Sequence, residues 1–232
     1  MRHQANNRIQ GSIQSTIQAL ESRLFLSASD LDTTFGLGGK ALIGASGGTE
    51  FQAVAVAPGG KYVAAGSRND AATGNINFLV ARFNANGTPD TSFDGIGRVY
   101  TDFGGNDIAT AVAVLPSGKI LVSGYGADTG GQHPFFCIAR YNSNGKLDPT
   151  FGGGDGKVTT DFDGKSAFTG GMKVLSSGKF LVAGTSAGFT LARYNADGTL
   201  DKTFGGGDGW TTANFGSGTS AIAYGVATNS AG

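Results

Sequence analysis

The sequence predicts an all-β fold, a β-propeller-like array of four-stranded antiparallel blades with three full repeats and a partial fourth. Three observations predict it: a hexad that returns about every 58 residues, short segments in which apolar residues alternate, and glycine-marked turns at fixed places. Glycine supplies 41 of the 232 residues and proline only 5, the composition of a chain that reverses direction often.

The period is carried by three landmarks. The hexad reads LDTTFG from Leu31, PDTSFD from Pro89, LDPTFG from Leu147 and LDKTFG from Leu200, and its phenylalanines, Phe35, Phe93, Phe151 and Phe204, are 58, 58 and 53 residues apart. A Gly-Lys pair recurs at Lys61, Lys119 and Lys179, and an Ala-Arg-aromatic triplet at Arg82, Arg140 and Arg193. Each of these arginines precedes the next hexad phenylalanine by 11 residues, so that stretch has one geometry in every repeat. On hexad boundaries the repeats span 30–88, 89–146, 147–199 and a partial 200–232, and residues 1–29 stand apart.

The second repeat shows the elements in order. Strand A is expected over Arg98 to Phe103 and strand B over Ala109 to Leu115, where small alanines suit close sheet packing. Pro116-Ser117-Gly118 turns the chain into strand C, Lys119 to Tyr125, whose Ile-Leu-Val run suits a sheet covered on both faces. Strand D runs from Phe135 to Tyr141 and ends at Asn144-Gly145, a pair expected to form a type I′ turn, as are Asn86-Gly87 and Asp197-Gly198. A helical repeat is excluded by glycines every few residues, each costing a helix interior about 1 kcal/mol.

Composition narrows the function. Seventeen basic residues balance 17 acidic ones, so no field attracts nucleic acid. Cys137 is the single cysteine, which excludes an intramolecular disulfide and a cysteine zinc site. No apolar stretch is long enough for a transmembrane helix, and the start lacks the apolar core of an ordinary signal peptide.

The strings F-G-x-G-G, V-A-V-x-P-x-G-K and F-x-L-A-R-Y-N-x-D-G-x-L-D resemble the delta-60 repeat, a bacterial family with a β-propeller fold, over Asp30 to Gly232. The resemblance implies tandem blades in large exported or surface proteins and assigns no activity to any residue. Leu20 to Ala28 is similar to the L-E-P-R-x-L-L-S-A signature of exported planctomycete proteins, with Ser22 in place of its proline. Together they imply an extracellular or cell-surface protein.

Candidate chemistry is sparse. Asp32, Asp90, Asp148 and Asp201 recur with Arg82, Arg140 and Arg193, and could line a channel or form a structural clasp in each blade; the clasp is preferred, because a catalytic site breaks symmetry and a clasp repeats. Gly-Asp runs at Asp107, Asp155 and Asp208 are similar to calcium-binding nonapeptides but occur once per blade, so cofactors are expected to be none, with a structural calcium as the exception. His133 lacks a partner, Cys137 is expected to be an inert strand residue, and Trp210 to fill a gap.

From lysine to triplet arginine the repeats count 21, 21 and 14 residues, so length variation gathers in the C-D connections, at the end that also carries the A-B connections. The expected function is an exported or surface-associated scaffold or binding module. Its partner, a protein or glycan, would dock at that loop face, and self-association could complete the ring. The rivals are a propeller hydrolase acting on glycans and a calcium-stabilised adhesion repeat.

Overall fold

The computed structural model describes residues 31–44, 48–128, 130–214, 216 and 221–229, which contain three four-stranded antiparallel sheets. The export-like segment 1–29 lies outside the described residues. The first blade consists of β1 (Thr49–Ala57), β2 (Lys61–Asn69), β3 (Ile76–Phe83) and β4 (Arg98–Thr101). The second consists of β5 (Ile108–Val114), β6 (Ile120–Gly126), β7 (Phe135–Tyr141) and β8 (Lys157–Thr160). The third consists of β9 (Ala167–Val174), β10 (Phe180–Ser186), β11 (Phe189–Tyr194) and β12 (Trp210–Ala213). Each is a meander in chain order, so the all-β blade architecture is the one expected.

The sheets are phased differently from the hexads. Arg98–Thr101, expected to open the second set of strands, pairs with β3 and closes the first sheet, and β8 and β12 close theirs in the same way. The hexad causes this. Asp90 N donates to Arg82 O at 2.9 Å and Arg82 N to Gly97 O at 2.9 Å, so the chain leaving β3 folds back over its own blade and returns as β4. Cuts at 88, 146 and 199 therefore run through sheets, and the chain passes between blades over 102–107 and 161–166.

The Asn-Gly turns also differ from expectation. Gly87, Gly145 and Gly198 have positive φ, whereas Asn86, Asn144 and Asp197 do not, so type I′ is excluded. Gly145 N donates to Asn142 O and Asn142 N to Lys146 O, the pattern of a type I turn closed by a left-handed glycine. The glycine is needed twice over, because a Cβ on Gly198 would also lie 2.8 Å from the Phe151 ring of the preceding blade.

The core sits between blades. Val63, Phe78 and Val80 meet Ile120, Val122 and Tyr141, and Leu121, Phe136 and Ile138 meet Phe180, Val182 and Tyr194. Alternate residues of β6 thus serve opposite neighbours, which explains its continuous apolar run. Each such side chain contributes about 1.5–3 kcal/mol of burial. A bulge in β5 between Ala109 and Ala111 brings Ile108 O over Gly124, and Phe78 of the first blade seats on the same glycine. Tyr141 hydroxyl and Thr101 Oγ1 add a hydrogen bond of 2.7 Å between these blades, and Tyr194 donates to Thr160 at 2.8 Å between the next two.

Segments at both ends continue the pattern. Gly36 N donates to Asn86 O at 2.6 Å, as Asp94 N does to Asn144 O and Gly152 N to Asp197 O, so residues 31–40 occupy the hexad position of a blade before the first. Residues 223–225 lie against β9, where a Cβ on Gly170 would meet Ala223 O at 1.8 Å and one on Gly171 would meet Gly225 Cα at 2.8 Å. That is the place of a fourth blade's first strand, beside β9 as β9 is beside β5.

Candidate functional site

The strand-D arginines and hexad aspartates meet in every blade. Arg82 Nε donates to Asp90 Oδ2 at 2.6 Å, Arg140 to Asp148 at 2.6 Å and Arg193 to Asp201 at 2.7 Å. The second aspartate oxygen closes a turn on the residue two positions later: Asp148 Oδ1 accepts from Thr150 N at 3.1 Å and from Thr150 Oγ1 at 2.8 Å. The guanidinium lies over the hexad phenylalanine, 4.5 Å from the ring centre for Arg140 and Phe151. Constant spacing from arginine to phenylalanine follows from these simultaneous contacts.

The lysine of the Gly-Lys pair joins them. Lys61, Lys119 and Lys179 donate from Nζ to Asp90, Asp148 and Asp201 at 2.6, 2.7 and 2.8 Å. Sequence reasoning used these lysines as landmarks and missed the role, although their invariant place in the repeat was the signal. Asp32 closes the same local turn, accepting from Thr34 N at 3.0 Å and Thr34 Oγ1 at 2.6 Å.

The arginines also cross between blades. Arg82 Nη1 donates to Ser143 O and Arg140 Nη1 to Ala196 O, each in the turn of the following blade. Arg193 is more open, its side chain 26% exposed against 10% for the other two. Burial alone would raise the Asp90 and Asp148 carboxyls, but hydrogen bonds from lysine, hydroxyl and arginine outweigh it and hold both well below the usual carboxylate range. Asp201 is lowered first by Lys179, then by Thr203.

The opposite end of the blades carries the connections 70–75, 127–134 and 187–188, beside the passages between blades. Asn106 Oδ1 accepts from Ile76 N at 2.9 Å, and Asp107 N donates to Ile76 O, so the two kinds of loop share one end.

Asp107 breaks the symmetry there. It stands where Thr49 and Ala167 stand in the other blades and is fully buried. Oδ2 accepts from Phe103 N at 2.7 Å, while Oδ1 has no hydrogen-bond partner and lies against Gly126, where an added Cβ would meet it at 2.2 Å. Burial raises its pKa to about 7, with Asp102 raising it further and Lys157 opposing. Sequence reasoning placed Asp107 in a glycine run; its uniqueness among the three equivalent positions was the available signal.

Among the described residues, no group of three or more His, Cys, Asp and Glu side chains is arranged to hold a metal ion. Asp155 Oδ1 instead accepts from Lys157 N at 2.9 Å and closes its own turn. His133 is exposed, Cys137 is buried, with its thiol pushed up by burial, and Trp210 packs edge-on against Phe162 at 5.2 Å.

Comparison with known families agrees with the repeat. Residues 58–93, 115–151 and 173–204 match the model of a family described as a domain of unknown function (DUF5122) beta-propeller. The chain is a β-propeller repeat protein. Each match spans a Gly-Lys turn, the strands after it and a hexad, so the propeller signal and the lysine-arginine-aspartate cluster coincide. No curated protein matches the chain. No helix among the described residues is long and apolar enough to cross a membrane.

Proposed function

We propose that the chain is an exported or surface-associated propeller of delta-60 type, a scaffold whose loop end binds a protein or glycan. The observation that carries this reading is the asymmetry between its ends. The clasp end repeats the same lysine, arginine and aspartate contacts in three blades, whereas the opposite connections run to six, eight and two residues. A rigid frame with unequal loops at one end is the arrangement in which recognition resides on loops. The similarity of Leu20 to Ala28 to an export signature supports the location.

The open face of the first blade supports self-association or further blades. Val54 and Val56 are 70% and 71% exposed, while their counterparts Val112 and Val114 pack into the core between blades.

Replacing residues 127–134 by Ala-Gly, the connector of the third blade, tests the reading. The expected result on a glycan array and a surface-protein panel is loss of the ligand bound by the parent protein, with an unchanged melting temperature. Equal binding by parent and variant would sink it.

A further inference from the structure

At the clasp end, between the first two blades, lies a cleft of about 370 Å³. Ala57, Pro58, Val114 and Ile120 give it an apolar wall, and Lys61 and Arg82 border it on the polar side. Its size is within the range of small-molecule pockets, which are largely apolar with a few fixed polar groups.

Two substitutions between equivalent repeat positions shape this cleft. Ala57 stands where the second blade has Leu115, and Ile120 stands where the third has Phe180. Phe180 is buried and stacked on Tyr194, with ring centres 5.0 Å apart, so the corresponding region between the second and third blades is filled by an aromatic ring. Smaller side chains at both positions leave room between the first and second.

Charge differs in the same direction. Lys61, Arg82 and Asp90 sum to one positive charge, and the turn opposite them offers the neutral Asn144. Asp94, close by, is neutralised by Lys146. In the next junction Lys119, Arg140 and Asp148 face Asp197 in place of Asn144, and Arg140 holds part of the Asp197 charge. The first junction keeps a net positive charge and the second does not. Arg82 has donors to spare, since a guanidinium has five N–H groups and three of these are engaged, by Asp90, Ser143 and Ser92. Lys61 has a one-third exposed side chain.

We infer that the cleft between the first two blades binds a small organic monoanion, a carboxylate joined to a short apolar body, with the carboxylate on Lys61 and Arg82 and the body against Val114 and Ile120. The site lies at the opposite end from the variable loops and is independent of recognition there.

Octanoate is a suitable probe, titrated by calorimetry and by amide chemical-shift changes, with octanol as the uncharged control. The second and third blades supply fold-compatible variants: Ala57→Leu with Ile120→Phe fills the cleft, and Asn144→Asp cancels its charge. Circular dichroism and thermal melting confirm that each variant is folded. The expected result is saturable binding at one site, weakened at least about tenfold by each variant and by replacing octanoate with octanol. Absence of saturable octanoate binding, unchanged affinity in both variants, or equal binding of octanol would overturn the inference.

Discussion

Arg140 donates from Nη1 to the main-chain oxygen of Ala196, on the blade that follows its own, while its Nε holds Asp148 at 2.6 Å. One side chain thus fixes the hexad within a blade and the turn of the next. The blade and the junction between blades share a residue, so loosening one loosens the other.

The first prediction concerns this double role. Arg140→Ala should destabilise the protein by about 3–5 kcal/mol, because it leaves Asp148 buried without its guanidinium partner. Arg193→Ala should cost less, since the Arg193 side chain is more exposed and its bonds to Asp201 and Thr203 stay within its own blade. Urea denaturation of both variants, with Asp148→Ala and the double mutant Arg140→Ala/Asp148→Ala, separates pair coupling from the rest. Equal losses at Arg140 and Arg193 would refute the role between blades.

The second prediction isolates a close approach. Gly124→Ala would place a Cβ 2.1 Å from Ile108 O and 2.6 Å from the Phe78 ring, and should cost about 1–3 kcal/mol or more. Gly48→Ala, where nothing lies within 4 Å, should change stability by less than about 0.5 kcal/mol. Thermal melting of both variants is the check; a Gly124→Ala protein as stable as wild type would mean the first two blades are not seated as described.

These two predictions mark what was and was not legible in the sequence. The period, the strand segments and the meeting of Arg140 with Asp148 follow from alternation and constant spacing, which are local in the chain. Which sheet receives Arg98–Thr101 is not local: it depends on the hexad folding back through the Asp90 and Gly97 backbone bonds. The third partner, Lys119, lies 29 residues from Asp148, and only the folded blade brings it within 2.7 Å. Asp107 was visible as a residue, but its burial depends on the chain packing it against Gly126 of the neighbouring strand.

The third prediction is a two-sided pH profile. Asp90 and Asp148 have folded pKa values below the ordinary 3.8, so their stabilisation is present above that value and is lost as pH falls toward the folded pKa. Asp107 has the opposite sign. Its folded carboxyl keeps its proton to about 7 against an ordinary 3.8, so its contribution is full below 3.8 and is lost as pH rises through 7. Stability measured by denaturant should therefore peak between these windows. Asp107→Asn, which retains an acceptor for Phe103 N, should flatten the decline toward pH 7 and leave the acid side unchanged; a variant with the wild-type slope would rule out Asp107 as its source.

The last prediction tests the phase of the sheets. A chain ending after residue 163 keeps β5 to β8 intact and loses only contacts with the third blade, whereas one ending after residue 146 deprives β7 of its partner β8 and removes Asp148 from Arg140 and Lys119. The shorter chain ends at a hexad boundary, where the linear repeat would place a natural break. It leaves Arg140 without its carboxylate and the Phe151 ring, and an edge of β7 without its ladder, both destabilising. Because repeat stability is a sum of unit and neighbour terms, the 1–163 protein should unfold cooperatively at a higher urea midpoint than the 1–146 protein. A higher midpoint for the 1–146 protein would mean that β8 belongs energetically to the blade after it, and that the hexad, not the sheet, is the folding unit.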